Sequence, residues 1–166
     1  MSISKKPLMV FGKLLGIGPT PDGFKESAEE SFQQAQVYIE LKDFESAAEH
    51  FRKAAEQGHI MAQFNLGICY QNGHGVKQDD VEAAKWFRKA AEQGDPRAQF
   101  NLGIRYDEGR GVEQNATEAA KWYRKASEQG EPKAQGLLAL CYLQGKGVEK
   151  NDAEAMKWLS KASGLG

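Results

Sequence analysis

A glycine returns every 36 residues, at Gly58, Gly94, Gly130 and Gly166, and near-copies fill the intervals. Ala62-Gln63-Phe64-Asn65-Leu66-Gly67 is repeated as Ala98-Gln99-Phe100-Asn101-Leu102-Gly103. Ala83-Ala84-Lys85-Trp86-Phe87-Arg88-Lys89-Ala90 likewise matches Ala119-Ala120-Lys121-Trp122-Tyr123-Arg124-Lys125-Ala126. A fixed period of this length restricts the chain to a stack of similar units, each burying its apolar side against its neighbours. Such stacks make surfaces more often than active sites.

Each unit reads as two helices. Ala62, Leu66, Cys69 and Tyr70 fall on one helical stripe. Asn72-Gly73-His74-Gly75-Val76 breaks the pattern, and a second helix carries Ala83, Ala84, Phe87, Ala90 and Ala91 inward. Asp79 with Glu82 has capping-box spacing, as do Asn115 with Glu118 and Asn151 with Glu154. Asn115-Ala116-Thr117 is therefore better explained as a helix start than as a glycosylation acceptor. The periodic glycine ends the second helix, and Asp95-Pro96 and Glu131-Pro132 open the next first helix. Gly67, Gly103 and Ala139 are expected to meet the alanine-rich second helix. The opening pair is shorter, with Lys42-Asp43 as a tight turn. The expected organisation is a leader over 1–23, a hairpin over 24–58, and repeats over 59–94, 95–130 and 131–166.

Composition narrows the function. Lys and Arg total 22 against 23 Asp and Glu, so the chain lacks the basic excess that nucleic acid or an anionic membrane would favour. Cys69 and Cys141 lie two repeats apart, too far for a disulfide, and read as free thiols suited to a reducing compartment. No apolar run is long enough to span a bilayer. Lys5-Lys6 before Pro7-Leu8-Met9-Val10-Phe11 resembles the start of a secretory signal, but Lys13 interrupts it and no convincing cleavage site follows. A cytoplasmic chain is expected, with export or a periplasmic location as the alternative and membrane contact only through residues 1–20.

The pattern Leu-Gly-x-x-Tyr-x-x-Gly-x-Gly-Val, then Ala-x-x-Trp-x-x-Lys-Ala and a glycine, resembles the Sel-one-like repeat (SLR) family, relatives of tetratricopeptide repeats. It stands as Leu66-Gly67, Tyr70, Gly73, Gly75-Val76, Ala83, Trp86, Lys89-Ala90 and Gly94, and runs again from Leu102 to Gly130. The third copy keeps Leu138, Tyr142, Gly145, Gly147, Val148, Trp158 and Lys161, with Ala139 for the glycine and Ser163 for an alanine. The 24–58 hairpin resembles the tetratricopeptide form. The resemblance implies an all-α, right-handed α/α solenoid of four hairpins, serving as a non-catalytic adaptor or scaffold, often bacterial.

Catalytic chemistry finds little support. The Gly-x-Gly loops follow helices and repeat with the unit, so they read as turns rather than phosphate cradles. His50, His59 and His74 do not combine with the cysteines into a zinc set. No nucleophile, base and orienting acid suggest themselves; no enzyme, metal or cofactor is expected.

A second stripe on the first helices is the candidate site: Met61, Phe64, Asn65, Ile68 and Asn72, then Arg97, Phe100, Asn101, Ile104 and Glu108, then Lys133, Gly136, Leu137, Leu140 and Gln144. The opening helix contributes Glu29, Phe32, Gln33, Gln36 and Glu40. By resemblance these line the concave face, with Phe32, Phe64 and Phe100 as a ring ladder. The rings either anchor a partner peptide or fill gaps between neighbouring helices. Asn65 and Asn101 correspond to positions that hold ligand backbone in tetratricopeptide clamps, and Arg97, Lys133 and nearby Arg105 add positive charge. The expected partner-binding residues are therefore Phe32, Met61, Phe64, Asn65, Ile68, Arg97, Phe100, Asn101, Ile104, Lys133 and Leu137.

The expected partner is a protein or peptide. An immunity or inhibitor protein neutralising a bacterial toxin or enzyme is one alternative, and an envelope-related hydrolase another. With no polar capping helix, Trp158 and Leu159 are expected to be less covered than their equivalents. A monomer is expected, with that layer as the place where copies could meet.

Overall fold

The computed structural model describes residues 26–164, and within them the chain forms eight α-helices and no strand. The leader over 1–23 and the closing Gly166 lie outside the described residues. The helices are α1 (Ala28–Glu40), α2 (Phe44–Glu56), α3 (Ile60–Asn72), α4 (Asp80–Glu92), α5 (Pro96–Glu108), α6 (Ala116–Glu128), α7 (Pro132–Gln144) and α8 (Asp152–Ala162). Each packs against the helix before it and the helix after it. The result is an all-α solenoid of four hairpins, as the period requires.

The local signals place the helix ends. Asp95 and Glu131 cap α5 and α7 ahead of Pro96 and Pro132. Asn115 caps α6 by accepting from the Glu118 N–H at 3.0 Å. Among the described residues the reciprocal capping box, however, closes only at Ser27 and Glu30. Elsewhere the N-cap N–H is already used: Asp79 donates to the Tyr70 carbonyl at 3.0 Å, Asn115 to Tyr106 at 2.9 Å and Asn151 to Tyr142 at 3.0 Å. Glu82, Glu118 and Glu154 are thereby released to pair with Lys85, Lys121 and Lys157, three residues on. The recurring spacing is a cap plus a surface ion pair.

Small residues let the helices of a hairpin approach, and Gly67 and Gly103 meet the second helix as expected. The side chains they face on that helix are aromatic rings: a Cβ would stand 2.7 Å from the Phe87 ring and 2.6 Å from the Tyr123 ring. At the equivalent positions the fourth hairpin carries Ala139 and Leu159, a methyl in place of the glycine and a smaller side chain in place of the ring. Gly103→Ala is therefore expected to destabilise the chain by about 1–3 kcal/mol through overpacking. Adding Tyr123→Leu should return part of that loss, a non-additivity that a urea-unfolding double-mutant cycle would register.

The tryptophans are core residues that the stripe left out. Trp86 and Trp158 are buried, and Lys89, Lys125 and Lys161 lie over the Trp86, Trp122 and Trp158 rings. Trp158 is thus covered by its own hairpin and its own lysine, against expectation. Leu159 is open, at 38 % exposure, while Phe87 and Tyr123 at the same position are buried.

Two further periodic contacts sew hairpin to hairpin. Arg52, Arg88 and Arg124 donate to the hydroxyls of Tyr70, Tyr106 and Tyr142 at 2.9, 2.7 and 2.6 Å. Buried Gln63, Gln99 and Gln135 donate to the carbonyls of Ala55, Ala91 and Ser127 at 3.1, 3.1 and 3.2 Å. Gln93 and Gln129 in turn donate to Gln63 and Gln99, so these two buried amides are satisfied on both sides.

Candidate functional site

The second stripe of the first helices does not form one continuous ladder. Phe32 is only 4 % exposed: its ring lies 5.9 Å from Phe51 and is stacked beneath His59 at 4.3 Å. His59 is held there because its Nδ1 accepts from the Ala62 N–H at 3.2 Å while its Nε2 faces Glu29 at 3.2 Å. Phe32 is therefore a core residue, and the expectation that it anchors a partner is corrected: the second hairpin's N-cap lies over it.

Phe64 is half-buried, tilted against Phe87 at 5.9 Å, with the Arg97 guanidinium 4.5 Å from its ring centroid. Arg97 is tied to Asp95 at 2.7 Å, so ring and cation form one plate whose charge is largely answered. Phe100 is half-buried against Tyr123 at 6.4 Å, and joins Ile104 and Leu137 on the core of the last two hairpins. At the same register α7 carries Gly136, where an added Cβ would meet nothing within 4 Å. The rings end there. Asn101 uses its amide inside its own helix, donating to the Arg97 carbonyl at 2.8 Å. Arg105 supplies no surface charge. It is 2 % exposed, paired with Asp80, and donates to Gln71 at 2.7 Å, at a place where two other hairpins carry cysteine.

The residues that do converge lie between α1 and α3. A groove of about 510 Å³ opens there, lined by Gln36, Ile39, Glu40, Asn65, Ile68 and His74 above buried Phe51 and Cys69. The amide of Asn65 makes no side-chain hydrogen bond among the described residues, unlike that of Asn101. Met61 is exposed at the start of α3 and Lys133 at the start of α7. The structure thus brings Asn65 and Ile68 to one groove, pairs Phe64 with Arg97, and gathers Phe100, Ile104 and Leu137 elsewhere.

Ile39 and His74 were not among the expected lining residues. Ile39 precedes Glu40, the end of the expected α1 stripe, and the shorter turn after it leaves its side chain open. His74 sits in the loop, where its ring stacks on Phe44 at 5.6 Å. The groove's chemistry is apolar contact and amide hydrogen bonding. Burial pushes the Cys69 thiol up to about 11, away from nucleophilic use at neutral pH. Among the described residues no group of three or more His, Cys, Asp or Glu is placed to hold a metal ion, and no helix is long and apolar enough to cross a membrane.

Comparison with known proteins agrees with this architecture. The Sel1 repeat family profile matches residues 38–59, 60–95, 96–131 and 132–166. A protective antigen of uropathogenic Escherichia coli strains, displaying an SLR fold, superposes with a TM-score of 0.82 and 35 % identity, over 99 % of this chain and 34 % of that one. A Sel1 repeat protein from Oxalobacter formigenes superposes with a TM-score of 0.76 and 38 % identity, over 81 % of this chain and 56 % of that one. The DAP3-binding cell death enhancer 1 of Rattus norvegicus is 39 % identical over 41 residues, 25 % of this chain and 8 % of its own length. This chain accordingly spans about a third to a half of the structural relatives and a small fraction of the curated one. It belongs to the Sel1 repeat family. Sel1 and tetratricopeptide-like repeats are generally protein-interaction scaffolds.

Proposed function

We propose that this Sel1-repeat chain is a non-catalytic adaptor that holds a segment of another protein on its first-helix face, centred on the groove between α1 and α3. The observation that carries the reading is the open groove itself, with Ile39 and Ile68 as apolar walls and the Asn65 amide free to donate to and accept from a bound main chain. Glu40 at the rim favours a segment that carries a basic residue beside its apolar one. Phe64 with Arg97, and then Phe100, extend the surface towards the third hairpin without anchoring it. Localisation follows the same reading: a cytoplasmic adaptor, with free thiols at Cys69 and Cys141.

The test selects peptides from a random display library on the immobilised chain and measures the best binder in solution. Ile68→Asp is expected to weaken it at least about tenfold, the loss of one partly buried aliphatic contact plus a desolvated charge. Asn65→Ala should weaken it several-fold. Val81→Asp, at a position 62 % exposed on α4, should leave affinity unchanged. Equal binding by Ile68→Asp and the parent chain, with helical content intact in both, removes the groove assignment.

A further inference from the structure

The groove between α1 and α3 and the packed seam between α3 and α5 are built on the same register. Phe51 at the floor of the first stands where Phe87 stands in the second, Asn65 where Asn101 stands, and Ile68 where Ile104 stands. Four other positions differ. In the second seam Arg105 is buried, with its guanidinium 5.7 Å from the Phe87 ring centroid. Its head is held by Asp80 and by Gln71 at 2.7 Å, and Arg110 closes on the same Asp80 at 3.2 Å.

In the first seam each of these polar groups gives way to an apolar or aromatic one. Cys69 replaces Arg105, Ile39 replaces Gln71, Phe44 replaces Asp80 and His74 replaces Arg110. The contact between the last two survives in another form, since the His74 ring stacks on Phe44 where Arg110 pairs with Asp80. The short cysteine side chain leaves unfilled the length that Arg105 occupies, and the groove of about 510 Å³ opens over Phe51 and Cys69. The third seam also has a cysteine, Cys141, but Asp107 stands in the place of Ile39 and pairs with Lys146 at 2.6 Å. A cysteine beside an aliphatic wall is found in the first seam alone.

On the adaptor reading above, on which this rests, we propose that Cys69 is the residue that makes this seam a binding groove. The partner seats a leucine or methionine side chain there, in the place that Arg105 fills one seam on. The floor decides the class of side chain. The acceptors that hold the Arg105 guanidinium have no counterpart in Ile39 and Phe44, so a cation seated as deep would lose its hydration without gaining a partner. An aliphatic chain of similar reach gives up no polar contact and covers Phe51, Ile39 and Ile68. Charge acts at the rim, where exposed Glu40 is the one carboxylate among the lining residues. The partner therefore carries lysine or arginine next to its anchor, at the mouth of the groove rather than in it.

Peptides selected from a random display library on the full chain test this. The winners are expected to share one leucine or methionine with lysine or arginine beside it. Changing that anchor to arginine in the tightest peptide should weaken binding at least about tenfold, as should Cys69→Met in the chain, which fills the groove from its floor. Helical circular dichroism of Cys69→Met is expected to match the parent; if that variant unfolds, the peptide changes decide. Glu40→Lys should weaken binding several-fold, and a peptide with glutamate in place of its basic residue should regain it. An anchor that arginine replaces without loss overturns the proposal, as does unchanged affinity in folded Cys69→Met. Either result leaves the groove reading standing as long as Ile68→Asp still weakens binding. Binding that Ile68→Asp does not weaken removes the groove, and this anchor with it. A library that yields no binder overturns both.

Discussion

Gly75→Ala is expected to destabilise the chain by about 3–5 kcal/mol, while Gly73→Ala, two residues away in the same loop, costs about 1–2 kcal/mol. Both glycines have φ +72°, so an alanine at either is forced into the left-handed region. Their surroundings differ. At Gly73 the nearest atom to an added Cβ is Gln78 Cβ at 3.5 Å, ordinary contact within the loop. At Gly75 it would stand 1.8 Å from the Phe44 carbonyl oxygen and 2.8 Å from the Glu45 N–H nitrogen, backbone atoms of the preceding hairpin. Gly111 meets the Asp80 carbonyl at 1.9 Å and Gly147 the Ala116 carbonyl at 2.0 Å in the same way. Helix-end backbone cannot yield as a side chain can, so the methyl must push two repeats apart. A loss of this size corresponds to a fall in Tm of roughly 6–20 °C. Because each hairpin is stabilised by its neighbours, thermal unfolding of Gly75→Ala should also broaden as the first hairpin uncouples. A single sharp transition close to that of Gly73→Ala would refute the contact's importance.

Asp80→Ala is the second large effect, about 2–4 kcal/mol, because it strands the Arg105 guanidinium in the core with Gln71 as its remaining partner. Arg105→Cys, which installs the residue found at this position in two other hairpins, should cost less. The double variant Asp80→Ala/Arg105→Cys should be more stable than Asp80→Ala alone, since no buried charge is left unanswered; chemical denaturation of the three variants measures the order. The pair also carries a pH signature. Partial burial pushes the Asp80 carboxyl up, but hydrogen bonds and charge from Arg105 and Arg110 outweigh it and hold the group below its ordinary value. A carboxyl lowered by folding contributes stability above the ordinary carboxylate range and loses it as the pH falls through the folded value. Stability of the parent should therefore decline on acidification more steeply than that of the double variant.

The fold was legible because period, caps and glycines all report on local geometry. Asp95-Pro96 and Glu131-Pro132 start helices here, and Ala62 and Leu66 are buried, as are their counterparts Ala98, Ala134, Leu102 and Leu138. The candidate face was legible only in outline. A stripe at helical spacing shows which side chains leave the hairpin's own core, but not what the neighbouring hairpin lays over them. Phe32 and Phe64 are the same residue type at the same register. Yet His59 closes over one, while Arg97, tied to Asp95, only partly shields the other. Arg105 looked like surface charge until Asp80 of the preceding hairpin came to meet it.

The repeat alone determined that this chain is a solenoid of helical pairs, because each helix is specified within about fifteen consecutive residues and each pair must bury its apolar side on the next. Which rings are sealed, where the α1–α3 groove opens, and why the second loop glycine has no room for a methyl were settled only by stacking. Those properties depend on the distance between atoms some 30 residues apart, and that distance exists only once the hairpins are packed.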